Sequence, residues 1–206
     1  MSDVAEFAGI SPTTFADILG RRQVMDIGIR PLWPSPRVAG PAYTVRCPAG
    51  DNLMLHAAIY RAAPGSILVV EAGDVDYAVA GGNMCAVAQR HGIAGLVVDG
   101  VIRDLVEARE LGFPVFARGV IPVPGAKDAI APLNEPVRCG GVAVSPGDIV
   151  VADEEGVVVT PASRRDEVLL AAQAKAAAEE AETLDEWEAA HHARIDSLLA
   201  RAGFTS

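Results

Sequence analysis

Three short apolar runs punctuate the middle of the chain: Ile67-Leu68-Val69-Val70, Gly95-Leu96-Val97-Val98 and Pro114-Val115-Phe116-Ala117. None alternates with polar residues, so each predicts a strand buried on both faces. Between them lie two segments of helical character. Gly81 to Arg90 is stopped near Gly92, and Arg103 to Leu111 is stopped by Gly112. Strands separated by single helices and short loops predict parallel pairing through right-handed crossovers.

The flanking patterns complete the outline. Ser11-Pro12-Thr13 reads as a helix start, with a serine cap and proline in the first turn, for a helix to about Leu19. Pro31, Pro34 and Pro36 mark a loop or surface arm. Val38 to Cys47 reads as a strand interrupted at Gly40-Pro41, with Tyr43, Val45 and Cys47 alternating. Asp51 is placed to cap a helix from Asn52 to about Ala63, ended by Pro64-Gly65. From Val137 to Thr160 only strands and turns are predicted. Gly140-Gly141 and Pro146-Gly147 form turns, and Glu154-Glu155-Gly156 forms a hairpin. Beyond Pro161 the pattern is helical: an alanine-rich segment spans Ala171 to Glu182, and Thr183 to Glu186 suits a capping box for a helix to about Ala202. The expectation is an α/β fold with a parallel βαβ core, a second antiparallel β layer and C-terminal helices. Residues 1–160 would form the α/β domain, and residues 161–206 a helical extension of it.

Composition narrows the function classes. The chain has 206 residues, 50% hydrophobic and 21% charged. That is about one domain plus an extension, and the composition is not that of a disordered chain. The net charge of -10, from 27 acids against 17 bases, disfavours nucleic acid and anionic membranes as partners. Cys47, Cys85 and Cys139 are odd in number and form no CxxC. The first residues lack the features of a signal peptide, and no apolar run of about 18 residues occurs. A cytoplasmic protein is expected. The high apolar fraction is also consistent with surface buried between subunits.

No familiar catalytic signature stands out. GxxxxGK[ST], GxGxxG, HExxH and GxSxG are all absent. His191 and His192 read as a solvated helix face, His91 as a helix C-terminus, His56 as packing with a possible lining role, and the cysteines as small buried hydrophobes. The ends of the parallel strands are more informative, because ligands bind there in open α/β sheets. One end carries Glu71, Gly73, Asp74 and Asp76, with the helix start Gly81-Gly82-Asn83-Met84 facing the same rim. The next carries Arg103 and Asp104. A helix start can hold a carboxylate. Arg103 offers a planar fork to an oxyanion, and Asp104 a hard oxygen ligand to Mg²⁺ or Mn²⁺. The same pair also reads as a helix cap with a surface ion pair, and spacing leaves both readings open.

At these residues the sequence resembles the RraA-like family, whose hallmark is a glycine, twenty residues and then Arg-Asp. Here these are Gly82 and Arg103-Asp104, with Glu107 just beyond. The segments AGPAYTVRCPAGDNLMLHAAI, GIAGLVVDGVIRD and ELGFPVFARG are similar to family text, and the likeness runs from about Ser11 to Pro161. The resemblance implies a β/β/α swivelling-domain-like fold and a homotrimer, or a homohexamer built as a dimer of trimers. It implies a divalent cation, Mg²⁺ or Mn²⁺ or another, held by Asp104. It further implies a small 2-oxo acid substrate bound by Gly81, Gly82, Asn83, Met84 and Arg103, with Arg103 and Asp104 catalytic. The aldolase branch would cleave 4-hydroxy-4-methyl-2-oxoglutarate (HMG) or 4-carboxy-4-hydroxy-2-oxoadipate (CHA) to pyruvate, with oxaloacetate decarboxylation as a companion activity. Some of its members carry an acid within the four-residue helix start, and this chain has none there. A carboxylate from a neighbouring subunit would fall to Glu179, Glu180 or Glu182. The family also contains regulators that bind and inhibit ribonuclease E without catalysis, which lack the complete Arg-Asp pair. A methyltransferase label within the family finds no glycine-rich methyl-donor motif here.

Overall fold

The computed structural model describes residues 2–34 and 37–204, so Pro36 lies outside the described residues. Two N-terminal helices, α1 (Ser2–Ala8) and α2 (Pro12–Leu19), precede a two-residue strand β1 (Arg30–Pro31) and the long β2 (Val38–Arg46). The chain continues through α3 (Leu53–Ile59), β3 (Ile67–Glu71), β4 (Ala78–Ala80), α4 (Gly82–Arg90), β5 (Gly95–Ile102), α5 (Leu105–Glu110) and β6 (Val115–Val120). Then come β7 (Val137–Cys139), β8 (Val142–Val144), β9 (Ile149–Asp153) and β10 (Gly156–Thr160), followed by α6 (Arg165–Ala181) and α7 (Leu184–Arg201).

Eight strands form one sheet in the order β1-β6-β5-β3-β2-β9-β10, with β4 attached to β5. The pairs β2–β3, β3–β5 and β5–β6 are parallel, as the apolar runs predict. Their buried residues divide by the strand's period of two. Leu68, Val70, Leu96 and Val98 pack with Leu55, Ile59, Cys85 and Ala108 of the helices. Ile67, Val69 and Val97 face the opposite way, onto Val137, Cys139, Val142 and Val144. The antiparallel region therefore plays two parts. The β7–β8 hairpin packs across the second face, whereas β9 and β10 extend the main sheet through β2. Gly140 and Gly141, both at positive φ (54° and 78°), form the two-residue turn that joins β7 to β8.

Strand β2 is not interrupted at Gly40-Pro41 but changes partner there. Val38 to Pro41 pairs antiparallel with β9, and Ala42 to Arg46 pairs parallel with β3. A Cβ on Gly40 would press on the Gly65 carbonyl and Ile67, so glycine permits the close approach. A third core joins the termini. Phe7 and Phe15 stack with centroids 5.2 Å apart, beside Val168, Leu169 and Ala172 of α6. Each fully buried phenylalanine contributes about 2 kcal/mol. Helix α7 carries the expected capping box between Thr183 and Glu186, yet none of its residues is buried. No helix among the described residues is long and apolar enough to cross a membrane.

Candidate functional site

Register along β5 sets the site's geometry. Val98 pairs with Ala117 but Val101 pairs with Gly119, so β5 carries one extra residue there. Such a bulge twists a strand and redirects the residues that follow. Past it, β4 lies beside the end of β5, with Ala80 opposite Ile102 and Arg103 N–H donating to the Ala80 carbonyl at 2.9 Å. The chain then turns through Asp104, which holds the left-handed conformation (φ 56°, ψ 48°) at the start of α5. An aspartate in that region is uncommon and costs about 1 kcal/mol, and such strain clusters at functional sites.

Arg103 Nε lies 3.5 Å from Asp104 Oδ2, and the same oxygen accepts the Gly82 N–H at 3.2 Å. Two glycines allow this closeness. A Cβ on Gly81 would run into the Asp104 carboxylate and sit 3.1 Å from Arg103 Cγ; one on Gly82 would sit 2.8 Å from Glu107 Cβ. The spaced glycine and Arg-Asp of the sequence are thus in direct contact. A pocket of about 210 Å³ opens above them, and Gly81, Asn83, Met84, Arg103 and Asp104 all line it. Gly82 does not; it is buried, with its amide turned to Asp104. The first amides of a helix lack intrahelical acceptors, so the start of α4 can take an anion.

The other polar residues of the pocket are ones the sequence marked weakly, as with His56, or not at all. Asn52, at the start of α3, is 5% exposed and lines it, as do His56 and Lys127. Asn52 and His56 are four residues apart and share a helix face, which was a legible signal. Lys127 carried none, because it arrives on a loop returning after β6. Asp51 holds that loop: Oδ2 accepts the Asp128 and Ala129 N–H groups at 2.7 and 3.1 Å, and Oδ1 accepts that of Leu53 at 2.8 Å. Burial opposes the charge, but these donors and Lys127 hold the Asp51 carboxyl below its usual range. Burial and the Lys127 charge push the His56 pKa down, so the imidazole is neutral near pH 7.

The acids at the neighbouring strand ends have other work. Glu71 pairs with Arg46 at 3.2 Å, and Asp99 pairs with Arg118 and accepts the Gly140 N–H at 2.7 Å. Asp74 accepts the Asp76 N–H at 2.9 Å and that of Tyr77 at 3.2 Å. These acids bind backbone and arginines and lie outside the Arg103 pocket. Among the described residues no three His, Cys, Asp or Glu side chains gather as a metal cage. Among the described residues Asp104 is the one acid lining the pocket. A single carboxylate, with substrate oxygens and water completing the shell, suits Mg²⁺, which rarely takes an all-protein cage. Glu179, Glu180 and Glu182 are exposed and line no part of the pocket, and Glu179 bonds Lys175 at 2.7 Å. His91, His191 and His192 are exposed too. The three cysteines are buried and free, with burial raising the Cys47 and Cys85 thiols to about 12.

Comparison with known proteins points one way on ancestry and two ways on activity. The family model RraA-like: Aldolase/RraA matches residues 2–159. A Halalkalibacterium halodurans protein, provisionally named a 4-hydroxy-4-methyl-2-oxoglutarate aldolase, is 40% identical over 179 residues, covering 86% of this chain and 85% of its own. The crystal structure of Streptomyces coelicolor RraAS2, described as an unusual member of the RNase ES inhibitor RraA family, superposes with a TM-score of 0.77. It is 34% identical, over 87% of this chain and 94% of that one. The RNA-processing inhibitor RraA of Thermus thermophilis gives 0.68 at 29% identity, over 73% and 92%.

Proposed function

The chain belongs to the RraA-like family, and on that premise we propose that it is a divalent-metal-dependent pyruvate aldolase. It would be a lyase that cleaves a 4-hydroxy-2-oxo acid of the HMG or CHA type, with oxaloacetate decarboxylation as a side activity. One observation carries the reading. Arg103, Asp104 and the start of α4 line one pocket, and they are the groups a 2-oxo acid needs. The provisional aldolase name of the 40% identical relative supports it.

In this reading the backbone amides of Gly81, Asn83 and Met84 bind the substrate's first carboxylate, helped by the helix dipole, while the Gly82 amide stays on Asp104. The Arg103 guanidinium donates to the 2-oxo oxygen. The C4 hydroxyl gives its proton to a water molecule, which later supplies one to C3; the C3–C4 bond breaks, and its electron pair becomes the enolate of pyruvate. A guanidinium donating to the oxygen that gains charge stabilises the transition state more than the ground state. Protonation at C3 releases pyruvate, and C4 leaves as the second oxo compound. A divalent cation held by Asp104 would supply Lewis-acid polarisation of the 2-oxo group. Loss of carbon dioxide from oxaloacetate passes through the same enolate, so the same donors serve it. A homotrimer or homohexamer is part of the proposal, with a neighbour's C-terminal carboxylate (Glu179, Glu180 or Glu182) near the site.

The test couples pyruvate release from HMG to lactate dehydrogenase, with Mg²⁺ and with EDTA. The wild type should show EDTA-sensitive release, and Asp104→Ala should lower it by about 10²-fold or more. A second reading, a regulator that binds ribonuclease E without catalysis, is favoured by the likeness to two structures described as RraA inhibitors or members of that inhibitor family. No EDTA-sensitive turnover of any 2-oxo acid, together with inhibition of ribonuclease E, would establish that reading instead.

A further inference from the structure

The pocket has two flanks, joined by β4. On one, Ala80 receives the Arg103 N–H and pairs with Ile102, tying that end of β4 to Arg103 and Asp104. On the other, Ala78 donates to the Val123 carbonyl at 2.8 Å and accepts from Gly125 at 3.1 Å, tying that end to the loop carrying Lys127. Asn52 Nδ2 also donates to the Ala78 carbonyl, at 3.4 Å. Two residues of strand separate the flanks, about 7 Å. That is the order of length of a five-carbon acid.

We propose that the flank formed by Asn52, His56 and Lys127 reads the far half of the substrate, with the Lys127 ammonium pairing with a second carboxylate. The inference rests on the aldolase reading and assigns a residue to the second carboxylate that HMG and CHA both carry. Three observations support it. Lys127 lines the pocket and makes no ion pair among the described residues, unlike Arg103, Arg118 and Lys175. Its position is fixed from behind: the Asp51 carboxylate takes the two amides that follow it, and Asn52 N–H donates to the Ala126 carbonyl at 2.9 Å. A cation presented on a clamped loop loses less order on binding than one on a free loop. The flank is also built of buried polarity. Asn52 is 5% exposed, and its Oδ1 has no hydrogen-bond partner. A buried acceptor left unmet is costly, and a substrate hydroxyl would meet it. His56, neutral beside Lys127, leaves the ammonium as the charge of this flank.

The arrangement also divides labour. Arg103 and Asp104 sit where the pyruvyl end must react, and Lys127 sits where chemistry does not occur. A contact there changes which acid is accepted more than how fast the bond breaks. The experiment compares two substrates of one reaction, 4-hydroxy-2-oxoglutarate and 4-hydroxy-2-oxopentanoate, which differ at the distal carboxylate. In Lys127→Met, KM for the dicarboxylate should rise about tenfold or more, and KM for the monocarboxylate by less than about twofold. Lys127→Arg should recover part of the loss, because it restores the cation. Equal effects on both acids, or none, overturn the proposal. If the wild type cleaves neither of these acids nor HMG, the aldolase reading fails, and calorimetry still decides the subsite. A selective loss of affinity for 2-oxoglutarate over 2-oxobutyrate in Lys127→Met supports it, and unchanged or equally weakened binding overturns it.

Discussion

Gly81 shows how closely the site depends on a missing side chain. Its backbone is extended (φ -158°, ψ -173°), so any residue could adopt the conformation. What excludes a side chain is contact, since a Cβ would meet the Asp104 carboxylate and Arg103. Gly81→Ala should therefore leave the melting temperature nearly unchanged and displace the pair. Pyruvate release should fall about tenfold or more, since small misplacements of reacting groups are expensive. Wild-type kcat/KM in the variant would show that the close approach is incidental. Asp104 makes the complementary point. The Arg-Asp pair was legible in the sequence, but its left-handed turn was not, because aspartate is common at ordinary helix starts. His56 was read mainly as a packing residue. It packs and also lines the pocket, since a half-buried residue on α3 can do both.

At the scale of elements, Asp51 joins α3 to the loop of Lys127. The cap position falls on Asn52 and not on Asp51, and the Asn52 side chain makes no capping bond; Asp51, one residue earlier, accepts the Leu53 N–H, and its bonds to Asp128 and Ala129 come from a segment 77 and 78 residues away. No periodicity could have revealed that pairing. The helix is shorter than the sequence predicts, ending at Ile59 and not near Ala63. Asp51→Ala leaves three backbone donors unmet and should cost about 3 kcal/mol in urea unfolding. The acid also links stability to pH. Its folded pKa is lowered below the ordinary 3.8, so its contribution is complete above that value and is lost as pH falls through the folded pKa. Wild type should thus lose more stability than Asp51→Ala on acidification below pH 3.8. Parallel acid titrations of the two would refute the linkage. The short β4 and two-residue β1 left no sequence pattern either, because three and two residues are too few for a period.

The whole molecule exposes a surface that one copy does not cover. Along α7, Leu184 is 76% and Trp187 48% exposed, and Ile195, Leu198 and Leu199 are exposed too. A helix with no buried residue gains little from tertiary packing, and most helical stability in proteins comes from such packing. Assembly would bury this apolar face, as the proposed trimer or hexamer requires. Light scattering should then give three or six times the 21.4 kDa of one chain, and deletion of residues 182–206 should weaken the assembly. A full-length monomer at micromolar concentration would remove the shared-site part of the proposal.

The sequence by itself determined the parallel core, the helix caps and the hairpin turns. Those features arise from neighbours a few residues apart, where burial period, capping oxygens and positive φ act locally. It also marked Gly82 with Arg103 and Asp104, whose fixed spacing follows from one strand and one helix between them. Tertiary structure alone decided the rest. It chose the partner switch of β2 at Gly40-Pro41, because a strand's second edge is filled by whichever segment returns to it. It set the strand-end acids on arginines and amides and kept them out of the pocket, and it brought Lys127 to Asn52 and His56 through a loop that Asp51 holds from the other side of the sequence.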